Sequence, residues 1–147
     1  MSAATEWVSA LKNIAADVEF FPPVSAEAIA EVERSLGNIP QDIRDFLAQT
    51  NGLACRSFRL YSAFDPDQPK KTWESLQRAN DSSTTQALGG DEELLARFLV
   101  FADIGSGVAV WDRTQDSIWF EEVHDDQLRQ TDLSLREFVE LMLRNAE

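Results

Sequence analysis

Few side chains in this sequence have reactive chemistry. There is one histidine, His124, and one cysteine, Cys55. A Ser-His-Asp or Cys-His arrangement needs a nucleophile held on a strained turn within reach of an imidazole. No serine or cysteine here sits in such an elbow, so Cys55 reads as a small half-buried thiol and His124 as a surface imidazole. Phosphate-loop, dinucleotide and His-Glu-x-x-His patterns are all missing. Glu121, Glu122, His124, Asp125 and Asp126 carry oxygen and nitrogen donors suited to a divalent cation, yet they lack the Asp/Asn and Gly spacing of a calcium loop. They read as a solvated acidic run. Gly105-Ser106-Gly107 has the composition of a phosphate cradle but joins two apolar runs instead of opening a helix, which makes it hairpin chemistry. The expectation is a protein with no catalytic residue, no cofactor and no metal.

Charge points toward binding. The 147 residues hold 26 acidic and 13 basic side chains, a formal net charge of −13. Phosphate binding draws on clustered Lys and Arg, so nucleic acid is excluded as a partner and a basic protein is favoured. Residues 53–80 hold five basic and three acidic side chains, whereas residues 91–132 hold three basic and eleven acidic ones. Acidic candidates for a partner-facing surface are Asp103, Asp112, Asp116, Glu121, Glu122, Asp125 and Asp126. Among the tryptophans, Trp7 lies on a helical stripe and Trp111 and Trp119 lie in strand-like runs, which suits core packing. Trp73, flanked by Lys70, Lys71 and Glu74, is the candidate exposed anchor.

The elements that must position these residues are organised around Phe98 to Phe120. Phe98 to Ala102 and Val108 to Trp111 are apolar runs of strand length separated by the glycine turn, and Ile118-Trp119-Phe120 follows a polar turn. This predicts a hairpin buried on both faces, extended by the third run to a three-stranded meander, with Gly105 and Gly107 supplying positive φ. Upstream, Trp7, Leu11, Ile14 and Val18 form one helical stripe that Phe20-Phe21-Pro22-Pro23 ends. Ser25 caps a second helix with Ile29, Val32 and Leu36 inward and Gly37 as its stop. Pro40 opens a third with Ile43, Phe46 and Leu47 inward, stopped by Asn51-Gly52.

Cys55 to Tyr61 alternates as one partly solvent-facing strand. Residues 62–90 are the least determined, with a loop at Asp65 to Pro69, a short helix within Trp73 to Ala79, and a polar stretch, Asn80 to Gly90, where mobility is expected. Asp91 to Leu95 suggests one helical turn. The last helix carries a capping box, Ser134 and Glu137, a hydrophobic staple, Leu133 and Phe138, and an inward stripe of Leu135, Phe138, Val139, Met142 and Leu143. The acidic N-terminus lacks the pattern of a secretory signal, no apolar run is long enough for a membrane span, and a lone cysteine suits a reducing compartment, so a cytoplasmic protein is expected.

The ordered set of motifs resembles the SUKH superfamily, which includes fungal cell-wall-synthesis regulators and bacterial immunity proteins. Ile29, Val32, Leu36 and Gly37, then Ile39-Pro40 with Ile43 to Leu47 and Asn51-Gly52, resemble its opening signature. Leu99 to Asp103, Gly105-Ser106-Gly107, Val110-Trp111-Asp112 and Ile118-Trp119 are similar to its central hairpin, and Leu133 to Leu143 to its closing helix. The likeness runs from about residue 25 to residue 143 within a single domain spanning 1–147. It departs at Val108, where a polar or acidic residue would be expected after the second glycine.

The resemblance implies an α+β fold with a central, mainly antiparallel sheet flanked by N-terminal helices and a C-terminal helix. It also implies action by protein binding without catalysis, most often as an immunity protein against a cognate toxin, with an intracellular scaffold or regulator as the alternative.

Overall fold

In the computed structural model, which describes residues 3–14, 17–85, 87–122 and 125–145, the meander becomes β4 (Phe98–Asp103), β5 (Gly107–Asp112) and β6 (Ser117–Glu122). These strands belong to a larger sheet. β1 (Glu19–Phe20), β2 (Leu53–Cys55) and β3 (Phe58–Leu60) precede them and β7 (Asp125–Gln130) follows, giving seven strands in sequence order. Every pairing is antiparallel. The helices are α1 (Ala3–Ile14), α2 (Ala26–Leu36), α3 (Gln41–Gln49), the short α4 (Leu76–Ala79) and α5 (Glu92–Arg97), and the closing α6 (Leu135–Asn145). The fold is α+β, with helices at both ends of the chain around one antiparallel sheet.

Local signals explain most of the helix ends. Ser25 Oγ accepts from the Ala28 N–H at the start of α2, and Gly37 ends it at φ 83. At α6 the capping box closes in both directions: Glu137 N–H donates to Ser134 Oγ and Ser134 N–H donates to Glu137 Oε1. That bond holds the Glu137 carboxyl below its ordinary value. Leu135, Phe138, Val139 and Leu143 of α6 are buried as the stripe requires.

Several segments differ from the sequence reading. Cys55 to Tyr61 is not one strand but part of a hairpin, because Arg56 adopts φ 54 and turns the chain between β2 and β3. Cys55 is buried, not half-buried, at 2% exposure. Gly105 has the expected positive φ, and a Cβ there would lie 2.9 Å from that of Ser57, but Gly107 is not among the positive-φ residues and simply opens β5. The polar stretch after Phe120 continues β6 to Glu122 and then forms the additional strand β7. Val18 lies beyond the end of α1 but still packs on the core. The side chain of Trp7 and the whole of His124 lie outside the described residues.

β4 is buried along Phe98 to Ala102 because both faces of the sheet are covered there. On one side Leu99, Phe101, Ala102 and Ala109 join the main core with α2, α3 and α6, and Phe101 meets Phe138 edge to face at 5.9 Å. On the other, Phe98, Val100 and Val110 join a second core with Ala87, Leu88 and Leu95, and Phe98 meets Trp119 edge to face at 5.6 Å. The second cover comes from residues 80–97, which include the stretch, Asn80 to Gly90, whose composition suggested mobility.

Asn80 pins that cover. Its side-chain amide donates to Val100 O and accepts from Val100 N–H, both at 2.8 Å, so it occupies the edge of β4 beyond the end of β3 as a strand would. Asn51 does the same for the N-terminal half, donating to Ala63 O at 2.9 Å and accepting from Ala63 N–H at 2.8 Å. Next to it, Gly52 stands at φ 97 with its Cα so close to Leu60 O that a Cβ would lie 2.7 Å away.

Replacing Asn80 by Ala leaves two buried backbone groups of Val100 without partners. The expected loss is about 1–3 kcal/mol in chemical denaturation, with limited proteolysis cutting within residues 80–90 before the rest of the domain.

Candidate partner-binding surface

The sheet register orders the candidate residues into rows. Residues directly opposite across neighbouring strands share a face. Phe20, Leu53, Leu60, Ala102, Ala109 and Phe120 form one such row, and it packs against the main core. The adjacent row points the other way and crosses all seven strands: Glu19, Ala54, Arg59, Asp103, Val108, Glu121 and Leu128. Glu19 is exposed and the others are half-buried. This row lies at the border of the second core, so Asp103 and Glu121 face outward with only Val108 between them. Val108 provides an apolar spot between the two carboxylates, and Arg59 stands opposite Asp103 on the other side.

Each carboxylate is held in place. Asp103 Oδ1 accepts from Gly105 N–H at 2.8 Å and fixes the β4–β5 turn. Glu121 Oε1 accepts from Leu88 N–H at 3.2 Å, so the second cover sets its direction. Tyr61 sits beside the row, where burial first and then the Asp103 and Glu74 carboxylates push its phenol up to about 12. The backbone positions of Glu122, Asp125 and Asp126 lie at this same end of the sheet, with Glu122 paired to Asp125, and their side chains lie outside those described.

Asp112 and Asp116 are at the opposite end, about 13 Å away at the usual strand rise. Asp112 does not belong to any outward surface. It is 0% exposed and accepts from Arg97 Nη2 at 3.0 Å, Thr114 N–H at 2.9 Å and Thr114 Oγ1 at 2.7 Å. Burial pushes its carboxyl up, but the Arg97 and Thr114 bonds outweigh that and hold it below its ordinary value. Asp112 is therefore a structural ion that shapes the β5–β6 turn, and the sequence-level acidic face loses it. Asp116 is exposed and accepts from the Trp111 indole N–H at 2.8 Å.

Trp73 belongs to neither strand end. It is 57% exposed, and the Arg78 guanidinium stacks on its ring at 4.5 Å from the centroid. Lys70 and Lys71 precede it. The molecule thus carries an exposed Trp73–Arg78 stack as well as the acidic end of the sheet.

A family model described as the SMI1 / KNR4 family (SUKH-1) matches residues 23–141. The chain belongs to this family. Comparison with curated proteins gave no match. The SUKH-1 match covers α2 through most of α6, and so includes both covers of the sheet and the outward row. Among the described residues of this SUKH-1 chain, no helix is long and apolar enough to cross a membrane.

Two measurements test these assignments. Tyr61 is the only tyrosine, so absorbance titration of the phenolate reports it alone. The midpoint is expected near 12, and Asp103→Asn is expected to lower it by removing a charge that opposes the phenolate. Asp112→Asn is expected to cost about 2 kcal/mol. Because the folded carboxyl titrates below its unfolded value of about 3.9, its contribution is fully present above that value and disappears as pH falls through the folded one. The wild-type protein should therefore lose stability in that acid window more steeply than Asp112→Asn, as followed by circular dichroism.

Proposed function

We propose that this SUKH-1 protein acts without catalysis, as a cytoplasmic immunity protein that neutralises a cognate toxin, a nuclease among the candidates, by binding it. The observation that carries the reading is the outward row, in which Asp103 and Glu121 flank Val108 at the border of the second core. Fixed carboxylates around a small apolar contact suit a basic protein surface, because the charges steer encounter and the apolar centre excludes water. A toxin that binds nucleic acid offers such a surface, and an acidic protein lying on it would occupy the place of phosphate. The net charge of −13 supports the same direction.

A second reading, an intracellular scaffold or regulator, draws on Trp73. An exposed tryptophan held by a stacked arginine is a ready anchor for a further protein.

Capture with the tagged protein from its native cells, washed at low and then moderate salt, separates the two. Immunity predicts one basic protein of toxin-like domain organisation whose retention weakens with salt. It also predicts that the double reversal Asp103→Lys, Glu121→Lys lowers affinity for that protein at least 100-fold with the fold intact. Unchanged affinity would remove this surface. A set of housekeeping proteins lost on Trp73→Ala would favour the scaffold.

A further inference from the structure

At the far end of the sheet from the outward row, a cavity of about 260 Å³ opens between the start of α3, the β5–β6 turn and the start of α6. Its apolar wall includes Ile43, Trp111 and Leu133, and its rim carries Asp42, Asp116 and Ser134. The volume falls below the roughly 300–1,000 Å³ of small-molecule sites, so it is the size for a side chain.

The charge at the rim is uncompensated. No lysine or arginine lines the cavity. The nearby Arg44 is turned to Glu33 at 2.9 Å and to Gln41 at 3.0 Å. Asp42 is exposed, and among the described residues it enters no ion pair and the one side-chain bond of Asp116 is to the Trp111 indole. Two helix N-termini meet here, and each contributes a positive partial charge of about half a unit. Together they amount to about one unit, against two full negative charges on Asp42 and Asp116, so the rim remains anionic. The bond from the indole N–H to Asp116 also fixes the Trp111 ring, so that an aromatic wall and a carboxylate stand in set positions before any ligand arrives.

We propose that this cavity receives an arginine side chain from the basic partner, its stem against Ile43 and Leu133, its guanidinium along Trp111 and its donors on Asp116 and Asp42. A planar cation that can both stack on an indole and present several donors to carboxylates fits better than an ammonium, which is a point charge. This rests on the reading of the protein as a binder of basic partners and adds a second contact remote from the Asp103–Glu121 row.

The probe is the tripeptide acetyl-Gly-Arg-Gly-amide, titrated into ¹⁵N-labelled protein while the indole N–H signals of the four tryptophans are followed. The Trp111 signal is expected to move with saturation in the millimolar range, the citrulline peptide, equal in shape but uncharged, is expected to leave it in place, and Asp42→Asn, which touches no indole bond, is expected to weaken binding at least fivefold. Equal shifts with arginine and citrulline, or no shift up to tens of millimolar, would overturn the proposal. So would capture of the same basic partner with undiminished affinity by the folded double variant Asp42→Asn, Asp116→Asn, an outcome that leaves the immunity reading standing. Saturable arginine binding without any captured toxin would support the cavity and remove the immunity reading instead.

Discussion

Arg113 joins parts of the chain that are distant in sequence. Its Nη2 donates to Leu36 O at the end of α2 at 2.6 Å, its Nη1 donates to Ala96 O near the end of α5 at 2.8 Å, and its backbone N–H donates to Arg97 O. A cation placed at the carbonyl ends of two helices is favoured by both dipoles, and charge-assisted bonds to such carbonyls stabilise by about 1.5–3 kcal/mol each. Burial lowers the Arg113 pKa, yet a guanidinium stays charged through such a shift. Because α2 belongs to the main core on one face of the sheet and the α5 segment to the second core on the other, this residue ties the two covers together. Arg97 and Asp112, its neighbours, complete the junction.

The junction also separates structural charge from available charge. A run of eleven acids in residues 91–132 looks uniform in the sequence, but the fold gives its members different tasks. Asp91 caps α5 by accepting from Glu93 and Leu94 N–H, Asp112 is sealed in the turn, and Asp103 and Asp116 each orient a neighbour while keeping contact with solvent. What remains to meet a partner is a smaller, better positioned set than composition suggests, divided between the two ends of β5 and β6.

Legibility followed the locality of the signal. The α6 capping box, the Ser25 cap, the Asn51-Gly52 stop and the apolar runs of β4 and β5 are determined by residues a few positions apart, and the sequence shows them. β7 was hidden because an edge strand with one covered face needs little apolar content, and Asp-Asp-Gln-Leu-Arg-Gln offers only Leu128. The cover from residues 80–97 was hidden for another reason: its hold depends on Asn80 reaching Val100 and on Leu88 entering a core whose other members lie on β4 and β5. The burial of Asp112 was equally invisible, since nothing local distinguishes it from the solvated acids around it. The outward row required the register of the whole sheet.

The strict sequence order of the strands bears on how the chain reaches this state. Consecutive strands β4 to β7 lie within a few residues of one another in sequence, so their pairing closes small loops and can begin early. The step from β3 to β4 must instead close the long connection 61–97. Loop-closure entropy rises only with the logarithm of length, but the reward for that closure arrives late, once Asn80 and Leu88 have docked. The connection 21–52 between β1 and β2 is long as well, so folding speed is set by non-local closures, of which the β3–β4 closure is the one that covers the second core. Until it occurs, Phe98, Val100 and Val110 remain uncovered on a partly formed sheet, which makes residues 80–97 the segment on which escape from aggregation during synthesis depends.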